Sequence, residues 1–304
     1  MSDRLILFFY NQIYYADPNW CPVPRGCRYP FTGDKSTFFQ ADCVVVHLPS
    51  MDRRDWQEMR RLHGLKPQHQ VWAAYSEESA ANYPVIDDPD IMAMFDLEIS
   101  YRRGADIWVP YIKADFPARL QSTTVKPKTK LCAAFVSSGL DHSGRRAVMT
   151  ELMRHLPVDS YGTFRRNRRL DDDRGPETKL RVIADYRYTV AFENSISPDY
   201  VTEKFFEPLL AGSIPVYLGA PNVDSFAPGD RAFIDAADFD SAKALADYLL
   251  KADADAYHAW RGQPPRRAFL DQAARSAGNP FDGLCDWLDR HAARARDTVS
   301  AVAP

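Results

Sequence analysis

Short apolar runs that alternate with amphipathic stretches constrain the fold of this chain more than any other feature. The runs in the first half contain too few polar residues for strands with one face in water. We expect strands buried on both faces at Leu5–Tyr10, Cys43–Leu48, Val71–Tyr75 and Ile107–Pro110. Between two of them, Asp52 and Asp55 match the start of a helix and Gly64 its end. This order of elements predicts a parallel sheet covered by helices.

A second alternation follows a polar segment that contains proline. Residues 121–130 read QSTTVKPKTK and show no periodicity, which is typical of an interdomain linker. Beyond it we predict strands at Leu131–Val136, Tyr188–Phe192 and Ile214–Leu218, with helices at Arg145–Leu156, Glu203–Ala211 and Ala242–Leu250. The stretch from Tyr257 to about Arg294 is predicted to be helical and to pack back on the first domain. We therefore expect two α/β domains, at 1–125 and 126–304, with a cleft between them.

The overall charge offers no general attraction to nucleic acid or acidic lipid, because the 304 residues carry a net charge of −3. An anionic ligand must therefore be bound by a local group of residues. The longest apolar stretch near the N-terminus, Leu5–Tyr10, is far shorter than the roughly 20 residues of a membrane span. The 5 cysteines lack metal-ligand spacing, although Cys21 and Cys27 lie close enough to form a bridge in an oxidising compartment. With no export signal, we expect reduced thiols and a cytoplasmic location.

The densest functional signal runs from Phe192 to Lys204, where a buried strand leads into polar residues and then a helix. Ligands of open α/β sheets bind at the carboxyl ends of the strands, and a helix N-terminus there attracts anions. Lys204 adds a positive charge in the first turn. Gly212 is expected to end the helix, and the next strand ends at Gly219. The segment therefore predicts an anion site between a strand and a helix.

The run FENSISPDYVTEKFFEPLLAGSIPVYLGAP, residues 192–221, resembles the signature of the α-1,3-fucosyltransferases, glycosyltransferase family 10. Three earlier stretches resemble other motifs of the family, in the same order. They are Ser76–Pro84, similar to E-S-P-x-N-Y; Tyr101–Tyr111, similar to Y-R-R-x-S-D-x-x-V-P-Y; and Val136 with Ser137 and Arg145, similar to V-S-N and its downstream arginine. The resemblance covers roughly residues 40 to 290.

The resemblance implies the GT-B architecture, two Rossmann-like domains facing a central cleft, with the acceptor on the N-terminal domain and GDP-fucose on the C-terminal one. It implies inverting, metal-independent transfer of L-fucose to an acceptor glycan, with O3 of GlcNAc or Glc as the expected position. Glu78 becomes the general base, and Lys204 and Arg145 face the diphosphate. The other residues that fall in matching motifs and are expected to bind substrate are Ser137, Glu193, Asn194, Tyr200, Thr202, Glu203, Tyr101 and Arg102.

The chemistry of such a transfer requires these residue types. A carboxylate must take the proton of the acceptor hydroxyl as the new C–O bond forms, and Glu78 follows a strand at the expected place. The adjacent Glu77 is the alternative base. Charge that develops on the leaving GDP needs fixed cations, which Lys204 and Arg145 would supply in place of a metal. His47, at the end of another strand, is a further candidate for ligand contact, with a structural role as the alternative.

Three positions depart from the family pattern without removing an ionisable group. Ala80 stands where the family has proline, and Ser138 where it has asparagine. Pro208 falls inside the helix after Lys204 and is predicted to kink that helix or displace its start. The resemblance is weakest in the N-terminal region, which leaves the acceptor open.

The remaining motifs carry less information. Four D-x-D matches, at 88–90, 171–173, 238–240 and 253–255, arise in an Asp-rich chain and do not predict a metal site. The arginines of residues 165–169 predict a solvated face or, alternatively, weak peripheral contact with an anionic membrane. Two alternatives to fucose transfer stay open: a GT-B transferase that uses another GDP-sugar, and a non-catalytic module that binds a nucleotide sugar or a glycan.

Overall fold

The chain forms two compact α/β units, each built on a parallel sheet. The structure is a computed structural model that describes residues 4–9, 28–275 and 280–301. One unit comprises Met1–Val109 with Ser276–Pro304, and the other Pro110–Arg275. The strands of the first sheet are β1 (Ile6–Phe9), β2 (Phe31–Thr32), β3 (Cys43–His47), β4 (Val71–Ser76), β5 (Leu97–Ser100) and β6 (Ile107–Trp108). Those of the second are β7 (Lys130–Ala134), β8 (Val158–Ser160), β9 (Tyr186–Phe192), β10 (Ile214–Leu218) and β11 (Ile234–Asp235).

Helices flank both sheets, as the alternation of elements predicts. They are α1 (Arg53–His63), α2 (Pro89–Met92), α3 (Phe116–Ser122), α4 (Arg145–His155), α5 (Pro176–Ile183), α6 (Glu203–Ala211), α7 (Ala242–Lys251), α8 (Arg267–Arg275) and α9 (Pro280–Ala301). Across the residues that the structure describes, no helix combines the length and the apolar character that crossing a membrane requires.

The first sheet has the strand order β2-β1-β3-β4-β5-β6, and every pairing is parallel. One face packs on α1 through Met59 and Leu62. The other packs on α9 through Phe281 and Leu284. The predicted start of α1 is confirmed, because Asp52 Oδ1 accepts from the backbone N–H of Asp55 at 3.0 Å while Asp55 Oδ2 accepts from that of Asp52 at 3.0 Å.

The second sheet has the order β11-β10-β9-β7-β8 and is also parallel throughout. The chain passes from β7 outward to β8, then returns to the other side of β7 for β9, so the direction of winding reverses between β7 and β9. In open α/β sheets, ligands bind at the carboxyl ends of the strands at such a reversal. One face of this sheet packs on Met149 and Leu152 of α4 and on Leu245 and Leu249 of α7.

The second unit begins before the predicted linker. The Phe116 ring of α3 packs edge-on against Phe206 at 5.4 Å and Phe269 at 5.9 Å between ring centroids. These aromatic contacts place residues 110–122 with the second unit. At the other end of the chain, residues from Ser276 belong to the first unit, because Phe281, Leu284 and the rest of the inner face of α9 pack on the first sheet.

Several elements differ from the sequence-based predictions. The continuous helical stretch predicted from Tyr257 was wrong in its first part. Residues 255–262 form two short 3-10 helices, and Pro264 and Pro265, which cannot donate a backbone hydrogen bond, precede α8. α6 begins at Glu203 as predicted and continues through Pro208 to Ala211, so this proline does not displace the start of the helix. Tyr10, Cys21 and Cys27 lie outside the described residues, whereas Cys43, Cys132 and Cys285 are buried.

Candidate functional site

Two glutamates follow β4 directly at the carboxyl edge of the first sheet. The Tyr75 hydroxyl donates to Glu77 Oε2 at 2.7 Å. Burial raises the pKa of the Glu77 carboxyl, and the hydrogen bond from Tyr75 opposes that effect only in part. Glu78 Oε2 accepts from Asn82 Nδ2 at 3.3 Å, and its backbone N–H donates to Ser76 Oγ at 3.0 Å. Both carboxylates are half-buried, so Glu78 and the alternative Glu77 both remain candidate bases.

His47 ends the neighbouring strand β3 and is buried, with 6% of its surface exposed. Its ring lies 6.5 Å from that of Phe8, nearly parallel, and 5.5 Å from that of Tyr75. Burial lowers the pKa of His47 to about 3, so the imidazole is neutral near pH 7. Packing between two aromatic rings supports the structural alternative for this residue.

Tyr101 and Arg102 follow β5 at the same edge. Tyr101 is buried, and its backbone carbonyl accepts from Trp108 Nε1 at 2.8 Å. The Arg102 guanidinium pairs with Asp87 at 2.7 Å. The first sheet therefore brings the strand-end residues His47, Glu78 and Tyr101 to the carboxyl ends of three adjacent strands.

Loops that follow β7 and β9 form the corresponding edge of the second sheet. Ser143 Oγ donates to the Glu193 carbonyl at 2.6 Å, and the Asn194 carbonyl accepts from the backbone N–H of His142 at 2.7 Å. Ser137 is exposed, and its hydroxyl accepts from the backbone N–H of Thr163 at 3.2 Å. The loop before α4 is thus fastened to the end of β9, where the sheet reverses its winding.

Arg145, in the first turn of α4, is almost fully buried, with 1% of its surface exposed. Its guanidinium donates to the backbone carbonyls of Phe192 at 3.2 Å, Ser138 at 3.1 Å and Leu140 at 3.0 Å. Burial lowers the pKa of this group. In this arrangement Arg145 stabilises the loop between β7 and α4, and its contact with a diphosphate stays a prediction.

Glu193, Thr202 and Lys204 form a buried group at the start of α6. Glu193 is completely buried, and its Oε1 accepts from the Thr202 backbone N–H at 2.8 Å and from the Thr202 hydroxyl at 2.9 Å. The Lys204 ammonium donates to Thr202 Oγ1 at 2.9 Å, to Glu203 Oε1 at 3.1 Å and pairs with Glu193 Oε2 at 3.3 Å. Burial lowers the pKa of Lys204, but Glu193 and Glu203 outweigh it and leave the pKa raised. The ammonium is therefore charged and held at a helix N-terminus.

The turn between β9 and α6 has a strained residue at its centre. Asp199 adopts a left-handed conformation with φ of 65°, and its carboxylate accepts from Asn222 Nδ2 at 2.8 Å while its backbone N–H donates to Asn222 Oδ1 at 2.9 Å. The buried ring of Tyr200 packs edge-on against Tyr111 at 6.0 Å. The Tyr217 hydroxyl donates to the Tyr200 carbonyl at 3.3 Å.

In the second unit, the predicted substrate-binding residues lie in the loops and helix starts that follow β7 and β9, and their contact with substrate stays a prediction. They are Ser137, Arg145, Glu193, Asn194, Tyr200, Thr202, Glu203 and Lys204. Sequence reasoning missed Ser143, although a serine and a glycine directly before a helix are a recognisable start signal. It also missed Asn222, for which an asparagine after a glycine turn gives only a weak signal. Within residues 4–9, 28–275 and 280–291, no group of three or more His, Cys, Asp or Glu side chains is arranged to hold a metal ion.

Two family models together match nearly the whole chain. Residues 125–303 match the model for the glycosyltransferase family 10 (fucosyltransferase) C-terminal domain, and residues 2–112 match the fucosyltransferase N-terminal model. The chain belongs to glycosyltransferase family 10, the fucosyltransferases. The predicted family is thus confirmed.

Relatives and solved structures of the family agree with that placement. The chain is 36% identical to a 3-galactosyl-N-acetylglucosaminide 4-alpha-L-fucosyltransferase of Bos taurus, over 82% of this chain and 67% of the relative. It is 33% identical to alpha-(1,3)-fucosyltransferase B of Drosophila melanogaster, over 60% of this chain and 46% of the relative. The chain thus spans about half to two thirds of the length of these curated relatives.

A crystal structure of an alpha1,3-fucosyltransferase with GDP-fucose shares the fold, with a TM-score of 0.55 and 15% identity, over 90% of this chain and 88% of that one. A second alpha1,3-fucosyltransferase structure gives a TM-score of 0.56 at 17% identity, over 87% of this chain and 82% of that one. The two parallel sheets of this family 10 chain are those of the GT-B fold, which confirms the predicted fold class.

Proposed function

We propose that this family 10 glycosyltransferase moves L-fucose from GDP-fucose to a hydroxyl of an acceptor glycan. The observation that carries the proposal is the charged Lys204, held at the N-terminus of α6 where the second sheet reverses its winding. A helix N-terminus and a fixed ammonium together bind a diphosphate. The relatives named above are fucosyltransferases, and one structural neighbour carries GDP-fucose.

The proposed reaction is a single displacement with inversion. The acceptor oxygen forms a bond to C1 of fucose while the bond from C1 to the β-phosphate oxygen breaks, and the electron pair of that bond leaves with GDP. Glu78 takes the proton of the acceptor hydroxyl. Positioned bases of this kind accelerate proton transfer by about 10² to 10⁴. From GDP-β-L-fucose, inversion gives an α-linked fucoside.

The charge that develops on the β-phosphate is stabilised by Lys204. Fixed donors act most strongly where water is excluded, and the ammonium of Lys204 is already oriented by three neighbouring oxygens. We propose that this makes a divalent cation unnecessary. The Arg145 guanidinium donates three of its five N–H groups to backbone carbonyls, so any contribution to the diphosphate would come from its remaining N–H groups.

The test is release of GDP from GDP-fucose in the presence of EDTA, with lactosamine and lactose as acceptors. Glu78→Gln, Glu77→Gln and Lys204→Ala are compared with the wild type. We expect GDP release that requires acceptor, a fall of about 10² to 10⁴ in kcat for Glu78→Gln, and a much smaller effect for Glu77→Gln. The reverse order would make Glu77 the base.

Two further outcomes separate the alternatives. Turnover with another GDP-sugar and not with GDP-fucose would indicate a different donor. Binding of GDP-fucose without turnover on any acceptor of a glycan panel would indicate a non-catalytic module. We expect O3 of GlcNAc or Glc to be the position modified, which linkage analysis of the product would establish.

A further inference from the structure

A completely buried carboxylate lies beneath the ammonium that the proposed function assigns to the diphosphate. Glu193 is the first residue after β9, and it accepts from both the backbone N–H and the hydroxyl of Thr202, which caps α6. Its second oxygen lies 3.3 Å from the Lys204 ammonium. The space around it is tight, since a Cβ on Gly219 would lie 2.6 Å from Glu193 Cγ. The side chain therefore has little freedom to turn toward a ligand.

The two carboxylates that contact Lys204 differ in their surroundings. The Glu203 side chain is 47% exposed, whereas that of Glu193 is fully buried. Exposed ion pairs contribute little and exchange readily with water or with another anion. An ammonium has three N–H donors, and in Lys204 they face Thr202, Glu203 and Glu193. A phosphate oxygen can therefore replace Glu203 as acceptor while the other two contacts remain.

We propose that Glu193 is a positioning residue, which fixes the N-terminus of α6 and holds the Lys204 ammonium so that one N–H is presented to the donor diphosphate. This inference rests on the proposed function. It reassigns Glu193, which the sequence predicts to contact substrate, to a role beneath the binding surface. Glu193 affects donor binding through the Lys204 ammonium, so its effect on donor binding must disappear when Lys204 is absent.

The charged and titratable groups that face Glu193 lie on three elements. Lys204 and Glu203 lie on α6, the Tyr217 hydroxyl on β10 and the Arg145 guanidinium on α4. Burial raises the pKa of the Glu193 carboxyl, and the Lys204 charge opposes that effect. Protonation of Glu193 would remove the negative charge that faces the Lys204 ammonium. Donor affinity should therefore decrease as the pH falls toward the raised pKa of Glu193.

The experiment is a double-mutant cycle on GDP-fucose affinity, measured by calorimetry without acceptor. Glu193→Gln, Lys204→Ala and the double variant are compared with the wild type, and circular dichroism confirms that each is folded. We expect each single change to weaken binding by about 10- to 100-fold, the range for a charge-assisted hydrogen bond. The double variant should bind like Lys204→Ala alone. Additive effects of the two changes would overturn the proposal.

A second measurement needs no change at Glu193 and so does not depend on the folding of that variant. GDP-fucose affinity is measured from pH 5 to pH 8 for the wild type and Lys204→Ala. We expect the affinity of the wild type to fall on the acid side and that of Lys204→Ala to stay flat; equal slopes would contradict the proposal. If the wild type does not bind GDP-fucose, the proposed function fails. If it binds and transfers fucose but the cycle is additive, only the positioning role fails.

Discussion

Replacing Thr202 by valine should destabilise the second unit, because one hydroxyl makes several hydrogen bonds there. It donates to Glu193 at 2.9 Å, accepts from the Lys204 ammonium at 2.9 Å and caps α6 by accepting from the Lys204 backbone N–H at 3.4 Å. Valine has nearly the same shape, so Thr202→Val removes these hydrogen bonds without opening a large cavity. The buried Glu193 carboxylate then keeps the Thr202 backbone N–H and the Lys204 ammonium as donors.

The magnitude follows from the hydrogen bonds that the valine side chain cannot make. A hydrogen bond to a charged group contributes about 1.5–3 kcal/mol to the free energy of unfolding. Loss of a helix cap costs about 0.5–2 kcal/mol, and the long 3.4 Å hydrogen bond of this cap places Thr202 at the lower end of that range. Glu193 and Lys204 keep their contact with each other, so we count the loss as one such hydrogen bond plus the cap and expect Thr202→Val to lower the free energy of unfolding by about 2–3.5 kcal/mol. Thr202→Ser keeps the hydroxyl and should lose about 1 kcal/mol through the missing methyl group.

Urea unfolding followed by far-UV circular dichroism measures both variants against the wild type. A loss in Thr202→Val that does not exceed the loss in Thr202→Ser would refute the reasoning, because the hydroxyl would then contribute nothing to the buried group. Calorimetry with GDP-fucose adds a second comparison. Donor affinity should fall in Thr202→Val and be nearly retained in Thr202→Ser, since only the former removes the hydrogen bond from the Lys204 ammonium to the hydroxyl.

Further predictions concern glycine packing, pH and surface charge. A Cβ at Gly219 would approach the Tyr217 hydroxyl to 2.4 Å and Glu193 Cγ to 2.6 Å. Gly219→Ala should therefore lower the free energy of unfolding by about 1–3 kcal/mol and weaken donor binding. The control Gly104→Ala, whose Cβ would have nothing within 4 Å, should be neutral in the same assays. The pKa of His47 is about 3 in the folded chain and 6.5 in the unfolded chain, so its contribution to stability is complete above pH 6.5 and is lost as the pH falls toward 3. His47→Phe should therefore reduce the slope of the free energy of unfolding against pH in this range by up to about 1.4 kcal/mol per pH unit, as measured by urea unfolding. Changing the exposed residues Arg165 and Arg169 to Gln should alter co-sedimentation with anionic vesicles less than twofold. Complete loss of co-sedimentation would support the peripheral membrane contact.

The sequence predicts the central strands of both sheets because burial on both faces leaves a continuous apolar run. β3, β4, β7, β9 and β10 all have this signal. The strands β2, β8 and β11 have only two or three residues each, too few to show a periodicity, and were not predicted. The strand β6 was predicted at Ile107–Pro110 and is shorter in the structure, at Ile107–Trp108. The strand β5 was missed because its LEIS sequence places a charged residue in a run of only four.

The sequence predicts which residue types lie at which strand ends of the candidate site, but it does not predict the hydrogen-bond partners of their side chains. An arginine in a first helical turn looks the same in sequence whether it faces a phosphate or donates to carbonyls, as Arg145 does here. Likewise, Glu193 and Glu203 flank the same turn, and only the fold shows that the first is fully buried while the second is half exposed. Burial depends on residues far apart in sequence, such as Gly219, and therefore needs the three-dimensional structure.

The carboxyl edges of the two sheets differ in how function is coupled to stability. At the start of α6, the groups that would bind the donor also cap the helix and neutralise a buried charge, so a change there must alter unfolding and binding together. After β4, Glu78 is half-buried and accepts from Asn82 at 3.3 Å, a long hydrogen bond that contributes little. Glu78→Gln keeps an acceptor oxygen for Asn82, so it should lower kcat by about 10² to 10⁴ and lower the free energy of unfolding less than Thr202→Val does. Donor binding and proton transfer can thus be separated experimentally, since changes at the start of α6 should shift the unfolding transition more than Glu78→Gln does.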